Sequence, residues 1–185
     1  MKVGLKIPKT SIFNSYDESS KSQFENTITK SIRNGALVKI NQIPFFFMTK
    51  ELKKIPSKLF FPSLVQEKID KEYELRIFHL KGKNYAMAIF SQNDEQTKVD
   101  FRQYNYKKPN RCIPYELPFE VDVKITSLME LLKLDTGSVD LIKGIDGEYY
   151  FLEINPSGQF RMTSFPCNYD LHYQVAKTLI KMSNE

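Results

Sequence analysis

Asp140, Glu153 and Asn155 are the residues whose types and spacing could do chemistry. Glu153 and Asn155 lie in the stretch "YYFLEINPSGQF", Tyr149 to Phe160. Side chains alternate along an extended strand, so Phe151, Glu153 and Asn155 are expected on one face, with Leu152 and Ile154 on the other. Two oxygen donors then project together, about 7 Å apart along the strand. Asp140 stands upstream in "SVDLIKG". With a turn at Ile145-Asp146-Gly147, it falls opposite Glu153 or one pair away. Three oxygen donors on one face suit Mg²⁺, which takes a few carboxylates and completes its shell with substrate phosphates and water. Pro156 and Gly158 stop the strand and turn the chain away. Spacing alone is equally consistent with an edge hairpin whose Glu153 and Asn155 simply face solvent.

The elements that would position these donors can be read along the chain. "GSVDLIKGIDGEYYFLEINPSG" reads as a hairpin, and "LRIFHLKGKNYAMAIFSQ" as another, turning at Lys81-Gly82-Lys83-Asn84. "FEVDVKITSLMELLKL" places Val121, Ile125, Leu128, Leu131 and Leu132 at helical spacing. "YDLHYQVAKTLIKM" reads as an amphipathic closing helix. Towards the start, "TITKSI", "ALVKI", "PFFFMT" and "PSLVQEKI" are strand candidates, "DESSKSQFEN" a helix or turn, Asn34-Gly35 a tight turn, and "KELKKIP" a short helical turn. "NDEQTKVDFRQYNYKKPNR" reads as a long basic loop or flexible hairpin, the kind of element that carries function. Hairpins packed on a few helices define an α+β fold.

Bulk properties narrow the partners. The chain has 185 residues, 41% of them hydrophobic, with a net charge of +5. That balance favours an anionic partner without choosing among nucleotide, acidic peptide and nucleic acid. The basic residues are scattered and match no nucleic-acid-binding motif, so no nucleic-acid partner is expected. Cys112 and Cys167 have no metal-type spacing and point to a reducing compartment. No stretch approaches the ~20 apolar residues of a membrane span, and the first residues lack the apolar core of a signal peptide. A soluble, cytoplasmic protein is expected. No Ser/His/Asp or Cys/His set suggests covalent catalysis, and His79 and His172 read as structural.

These segments together resemble the ATP-grasp ligases, and within them the subgroup that modifies ribosomally made peptides (the graspetide or microviridin-type maturases). "VDLI" followed by "FLEINPSGQF", with 13 residues from Asp140 to Glu153, is similar to that family's metal-binding end. "PSLVQEKIDKEYELRIFHLKGKNYAMAIFSQ" resembles its hinge and following hairpin, "VDFR" its Asp-x-Arg element, and "GLKIPKT" the entry to its nucleotide-binding half. The resemblance implies an ATP-grasp-like fold of two β-rich lobes of antiparallel sheet with packed helices and a nucleotide cleft between them. It implies a small nucleotide-binding lobe over 1–66, and a large lobe over 67–185 with hinge, substrate hairpin and metal site.

It also implies roles. Lys30 would reach the α- and β-phosphates of ATP, as a point-charge ammonium can. Gln66, Glu67, Lys68 and Ile69 would form the hinge beside adenine, largely through backbone groups, and Glu74 would contact ribose. Arg76 would clamp phosphate or acyl-phosphate oxygens, although a cross-strand ion pair is the alternative reading. Asp140, Glu153 and Asn155 would hold Mg²⁺. Asp100 and Arg102 flank Phe101 and, if extended, share a face that would engage a precursor peptide. Arg102, Lys107, Lys108 and Arg111 suit an acidic one.

The implied activity is an ATP-dependent carboxylate ligase that forms ester or amide crosslinks through an acyl phosphate. The alternatives are a nucleotide- or peptide-binding module without turnover, and another ATP-grasp ligase acting on a protein tail or small peptide. The family pattern begins at "GLKIPKT", so the front domain of the relatives is expected to be absent, or supplied by another chain. The resemblance thus places the chain in an enzyme lineage without establishing turnover by these residues alone. A homodimer is compatible with it.

Overall fold

The computed structural model describes residues 3–16, 22, 24–32, 37–46, 48–53 and 58–184. The expected Asn34-Gly35 turn, most of "DESSKSQFEN" and the end of "KELKKIP" lie outside them. The chain forms two compact units, one of residues 8–69 and 91–109 and the other of residues 1–7, 70–90 and 110–185. No helix among the described residues is long and apolar enough to cross a membrane.

In the first unit, β1 (Thr10–Ser15), β2 (Thr27–Lys30), β5 (Lys50–Glu51) and β6 (Leu59–Glu67) make a four-stranded antiparallel sheet in the order β1-β6-β2-β5. Strands β3 (Leu37–Ile40) and β4 (Ile43–Phe46) form a separate hairpin. Its turn residues Asn41 and Gln42 have φ of 50° and 67°, the left-handed backbone of a two-residue hairpin turn. Lys50 and Glu51 pair with Thr29 and Ile28, so the expected helical turn is a strand there. A free strand edge outweighs the helix preference of two residues. Phe24 is buried, with the rings of Phe13 and Tyr16 at 4.7 and 5.5 Å.

The second unit is built on a five-stranded antiparallel sheet in the order β11-β10-β7-β8-β9. Its strands are β7 (Lys71–Leu80), β8 (Lys83–Phe90), β9 (Arg111–Tyr115), β10 (Thr136–Gly144) and β11 (Tyr149–Asn155). The β7–β8 turn falls where expected. Lys81 and Gly82 have φ of 46° and 82°, a type I′ turn that matches strand twist. Helix α1 (Phe119–Leu131) lays Val121, Ile125 and Met129 on the sheet face made by Leu75, Ile77, Ala86, Ala88, Val139 and Leu141. Helices α2 (Arg161–Cys167) and α3 (Leu171–Ser183) follow β11, and Leu171 packs with Phe78 and Tyr85 on the opposite face.

Strand β7 is central and buried on both faces, which is why it does not alternate in burial: Glu74, Leu75, Arg76, Ile77, Phe78 and His79 are all buried. His79 is structural, with its Nδ1 2.7 Å from Asn84 Oδ1. Asn84 Nδ2 in turn donates to Asp122 and Thr126 on α1.

One expectation is corrected here. The β10–β11 register pairs Asp140 with Glu153 but Leu141 with Phe151, leaving Leu152 as the extra residue of a β-bulge. A bulge inverts the alternation beyond it. Phe151 and Tyr149 therefore pack on the core face with Ile154, while Glu153 keeps the face of Asp140. Phe151 does not share the Glu153 face.

Candidate functional site

The core face of the sheet is apolar, and its opposite face carries a row of charge. Arg76 on β7 lies directly opposite Asp140 on β10, and Asp140 directly opposite Glu153 on β11. Arg76 Nη1 donates to both carboxylate oxygens of Asp140, at 2.8 and 2.6 Å. The two side chains are only 10% and 14% exposed. Arg76 Nε is buried with no hydrogen-bond partner among the described residues. A buried orphan donor is rare and calls for an acceptor.

Carboxylates directly opposite on paired strands have Cβ atoms ~5 Å apart and repel. Arg76 pairs with the Asp140 carboxylate, and a cation bound beside the two carboxylates would relieve their repulsion further. Asn155, two residues on, lies opposite Ser138. Its Oδ1 accepts from Ser157 N at 3.0 Å, which turns the amide oxygen and leaves it a second lone pair. Among the described residues no group of three or more His, Cys, Asp and Glu side chains could hold a metal. The donors here are two carboxylates and one amide oxygen. This is an open, all-oxygen set, and it fits Mg²⁺, a hard ion that keeps several positions for water and phosphate oxygens.

The turn after β11 holds this end in place. Asn155 O accepts from Gly158 N at 3.1 Å. Gly158 has φ +25°, and a Cβ there would meet Gly137 backbone and the Phe78 ring at 3.2 Å. The Phe160 ring packs against Phe78, tilted by 50° with centroids 5.3 Å apart. Gly158→Ala is expected to cost about 1–3 kcal/mol through strain and overpacking, as measured by urea denaturation.

The remaining expected residues fall in four groups. Lys30 ends β2, half-buried opposite Leu64, on the face shared by Ile28 and Gln66. At the expected hinge, Gln66 is buried and its Nε2 donates to Thr10 Oγ1 at 2.7 Å. Glu67 N donates to Lys9 O at 2.8 Å and Lys68 N to Asn26 O at 3.0 Å. Lys68 Nζ pairs with Glu51 at 2.6 Å, and this hydrogen bond is the first cause of the lowered Glu51 pKa. Ile69, half-buried, ends the first segment of the first unit. Glu74 is buried and ion-paired with Lys71, a residue the sequence reading passed over. The available signal for Lys71 is a lysine three residues ahead of a glutamate at the start of the strand.

Asp100 and Arg102 meet, but not as an extended pair. Asp100 O accepts from Gln103 N at 3.0 Å, closing a turn. Arg102 forks onto the Asp100 carboxylate at 2.9 and 2.8 Å, and the amides of Thr49 and Arg102 add bonds at 3.1 Å. Turn geometry brings the two side chains together where a strand would only have aligned them. The loop around them is knitted by side chains: Asn105 Nδ2 donates to Asp94 at 2.7 Å, and Gln96 Nε2 to the carbonyls of Gln103 and Tyr104 at 3.0 and 2.9 Å.

Burial raises the Asp100 pKa, but the Arg102 fork and charge and the two amides outweigh it, so the net shift is downward. Its folded value lies below the unfolded one. Its contribution is therefore complete above about pH 4 and lost as pH falls through the folded value. Asp100→Asn should make the melting temperature less steeply pH-dependent than wild type below about pH 4, measured by circular dichroism melts across that range.

No protein-family model and no curated protein matches the chain. Solved structures do. An ATP-grasp ligase of Chryseobacterium gregarium associated with ribosomally synthesised, modified peptides, solved with ADP and a leader and core peptide, is 30% identical with TM-score 0.74, over 86% of this chain and 50% of its own. The macrocyclase MdnC of Microcystis aeruginosa, bound to precursor peptide MdnA, is 24% identical with TM-score 0.72, over 100% of this chain and 56% of its own. The ATP-grasp ligase PsnB, solved with a precursor variant, Mg and ADP, is 22% identical with TM-score 0.73, over 97% of this chain and 54% of its own.

The fold is that of the ATP-grasp ligases, an α+β arrangement of antiparallel sheets and helices. With the Chryseobacterium enzyme the likeness extends from fold to sequence. The chain spans about half the length of these solved relatives.

Proposed function

We propose that this chain is the nucleotide- and metal-binding part of an ATP-dependent carboxylate ligase that forms ester or amide crosslinks in a ribosomally synthesised precursor peptide. The observation that carries the reading is the Arg76–Asp140–Glu153 row, set in a chain 30% identical to a ligase solved with ADP and peptide.

In this reading Asp140, Glu153 and Asn155 hold Mg²⁺, which when bound supplies positive charge to the β- and γ-phosphate oxygens of ATP. Arg76, positioned by Asp140, offers its remaining donors, the orphan Nε among them, to phosphoryl oxygens. Lys30 lends its ammonium to the α- and β-phosphates, Gln66 to Ile69 flank adenine, and Glu74 accepts from ribose.

A substrate carboxylate oxygen attacks the γ-phosphorus, and the bond to ADP breaks. An amine or hydroxyl of the peptide then attacks the acyl carbon, phosphate departs with the acyl–oxygen electron pair, and the nucleophile's proton is released. Fixed charge aimed at the transferring phosphoryl group is the main catalytic resource of such chemistry. Arg102, exposed beyond its fork with Asp100, and Lys107 and Lys108 give the loop a basic character suited to an acidic peptide.

The lobe assignment (1–66 nucleotide-binding, 67–185 carrying hinge, substrate hairpin and metal site), a cytoplasmic setting, a further chain or domain that completes the enzyme, and a homodimer belong to the same proposal. A second reading is a nucleotide- or peptide-binding module without turnover. Mass spectrometry of an acidic candidate peptide co-expressed with the protein separates the two. Each bond should lower the peptide mass by ~18 Da, since phosphoryl activation ends in net dehydration. A peptide of unchanged mass, with nucleotide bound, would favour the module.

A further inference from the structure

Lys71 and Glu74 form an ion pair with side chains only 8% and 6% exposed. Glu74 lies on the Arg76 face of β7, two residues before it, and its cross-strand neighbours are Ile142 and Ile89. The carboxylate therefore has isoleucine on either side, and the Lys71 ammonium bonds its Oε1. Taking a carboxylate and an ammonium out of water costs about as much as their attraction returns, so such a pair is weak evidence for a stabilising role. An ionisable group buried beside a specific charge partner is a functional-site candidate. An ionised carboxylate is an acceptor-only group that can receive two O–H donors at once, which matches the vicinal diol of a ribose.

We propose that Lys71 is a positioning residue, whose ammonium fixes the Glu74 carboxylate as the acceptor for the ribose hydroxyls of the nucleotide. The inference rests on the nucleotide reading above and adds to it a residue that acts only through Glu74. Lys71 sets the preference for ribose over sugars lacking the hydroxyls, not affinity for adenine or phosphate.

Isothermal titration of ATP and of 2′,3′-dideoxy-ATP into wild type, Lys71→Arg and Lys71→Met tests it. Hydrogen bonds to a charged group predict that wild type prefers ATP by about tenfold or more. Lys71→Arg keeps that preference. Lys71→Met reduces it to within about twofold, by losing ATP affinity while dideoxy-ATP affinity is unchanged. Should Lys71→Met fail to fold, the double variant Lys71→Met/Glu74→Gln decides, because it leaves neither a lone buried carboxylate nor a lone buried ammonium. It is expected to bind the two nucleotides alike.

A Lys71→Met protein that retains the full preference, or weakens both nucleotides equally, would overturn the proposal, as would a double variant that still discriminates. Wild type that binds ATP and dideoxy-ATP equally would sink the inference and leave the nucleotide reading standing. Wild type that binds neither would sink both.

Discussion

Asp140→Ala is expected to lower stability by about 3–5 kcal/mol, because removing one partner of a buried ion pair leaves the other charge uncompensated. For a chain of this length that corresponds to a melting temperature lower by on the order of 10 °C. Arg76 has little alternative: it is 9% exposed, its Nη1 donates to both Asp140 oxygens, and its Nε has no partner among the described residues. Replacing both residues, as Arg76→Met/Asp140→Leu, should recover most of the loss, since well-packed apolar side chains often substitute for a buried pair without penalty. Differential scanning calorimetry of the two variants checks this. An Asp140→Ala protein that melts with wild type would mean that Arg76 is solvated, and the row would lose its meaning as a prearranged site.

Glu153→Gln separates function from stability. It keeps shape and hydrogen-bonding capacity but removes one charge from the proposed cation site. Loss of a metal's electrostatic contribution is worth several kcal/mol of transition-state stabilisation, so peptide crosslinking should fall about a thousandfold or more. Stability without metal should stay close to wild type, because glutamine keeps the shape of Glu153 and the cross-strand repulsion from Asp140 is relieved. Rates read from peptide mass loss, beside thermal melts of the same samples, check both halves. Retained crosslinking would place the metal elsewhere; a large drop in melting temperature would make Glu153 a structural residue.

What could be read from the sequence follows a physical pattern. The Lys81-Gly82 turn, the apolar stripe of α1 and the pairing of Asp140 with Glu153 depend on local spacing, and local spacing is what a sequence displays. The bulge at Leu152 is not marked by glycine or proline. It arises from fitting β11 against both β10 and the core, and it moved Phe151 to the other face. Strand β9 contains Pro114, which argues against a strand except at a sheet edge, where β9 lies. Helix α2 has no side-chain cap at its start and Pro166 inside it, so its only boundary signals, Pro166 and the left-handed Asn168, mark an end without a beginning. The Asp100–Arg102 fork depends on a turn closed by Gln103 and on the amide of Thr49, 51 residues away in the chain. Long-range partners of this kind are invisible to a reading by period.

Three site residues, Arg76, Asp140 and Glu153, come together in one row because they sit at matching register on neighbouring strands. The sequence allowed Arg76 either a phosphate-clamping role or a cross-strand ion pair. The pair with Asp140 is present, and the spare donors of Arg76 keep the other role open to test.

Calorimetric titration of ATP with and without Mg²⁺, on wild type and Glu153→Gln, tests the central claim most directly. Wild type should bind ATP more tightly with Mg²⁺ than without it, and Glu153→Gln should bind ATP with no Mg²⁺ dependence. Binding that ignores Mg²⁺ in both proteins, or no binding by either, would contradict a nucleotide–metal site at the end of the β10–β11 hairpin.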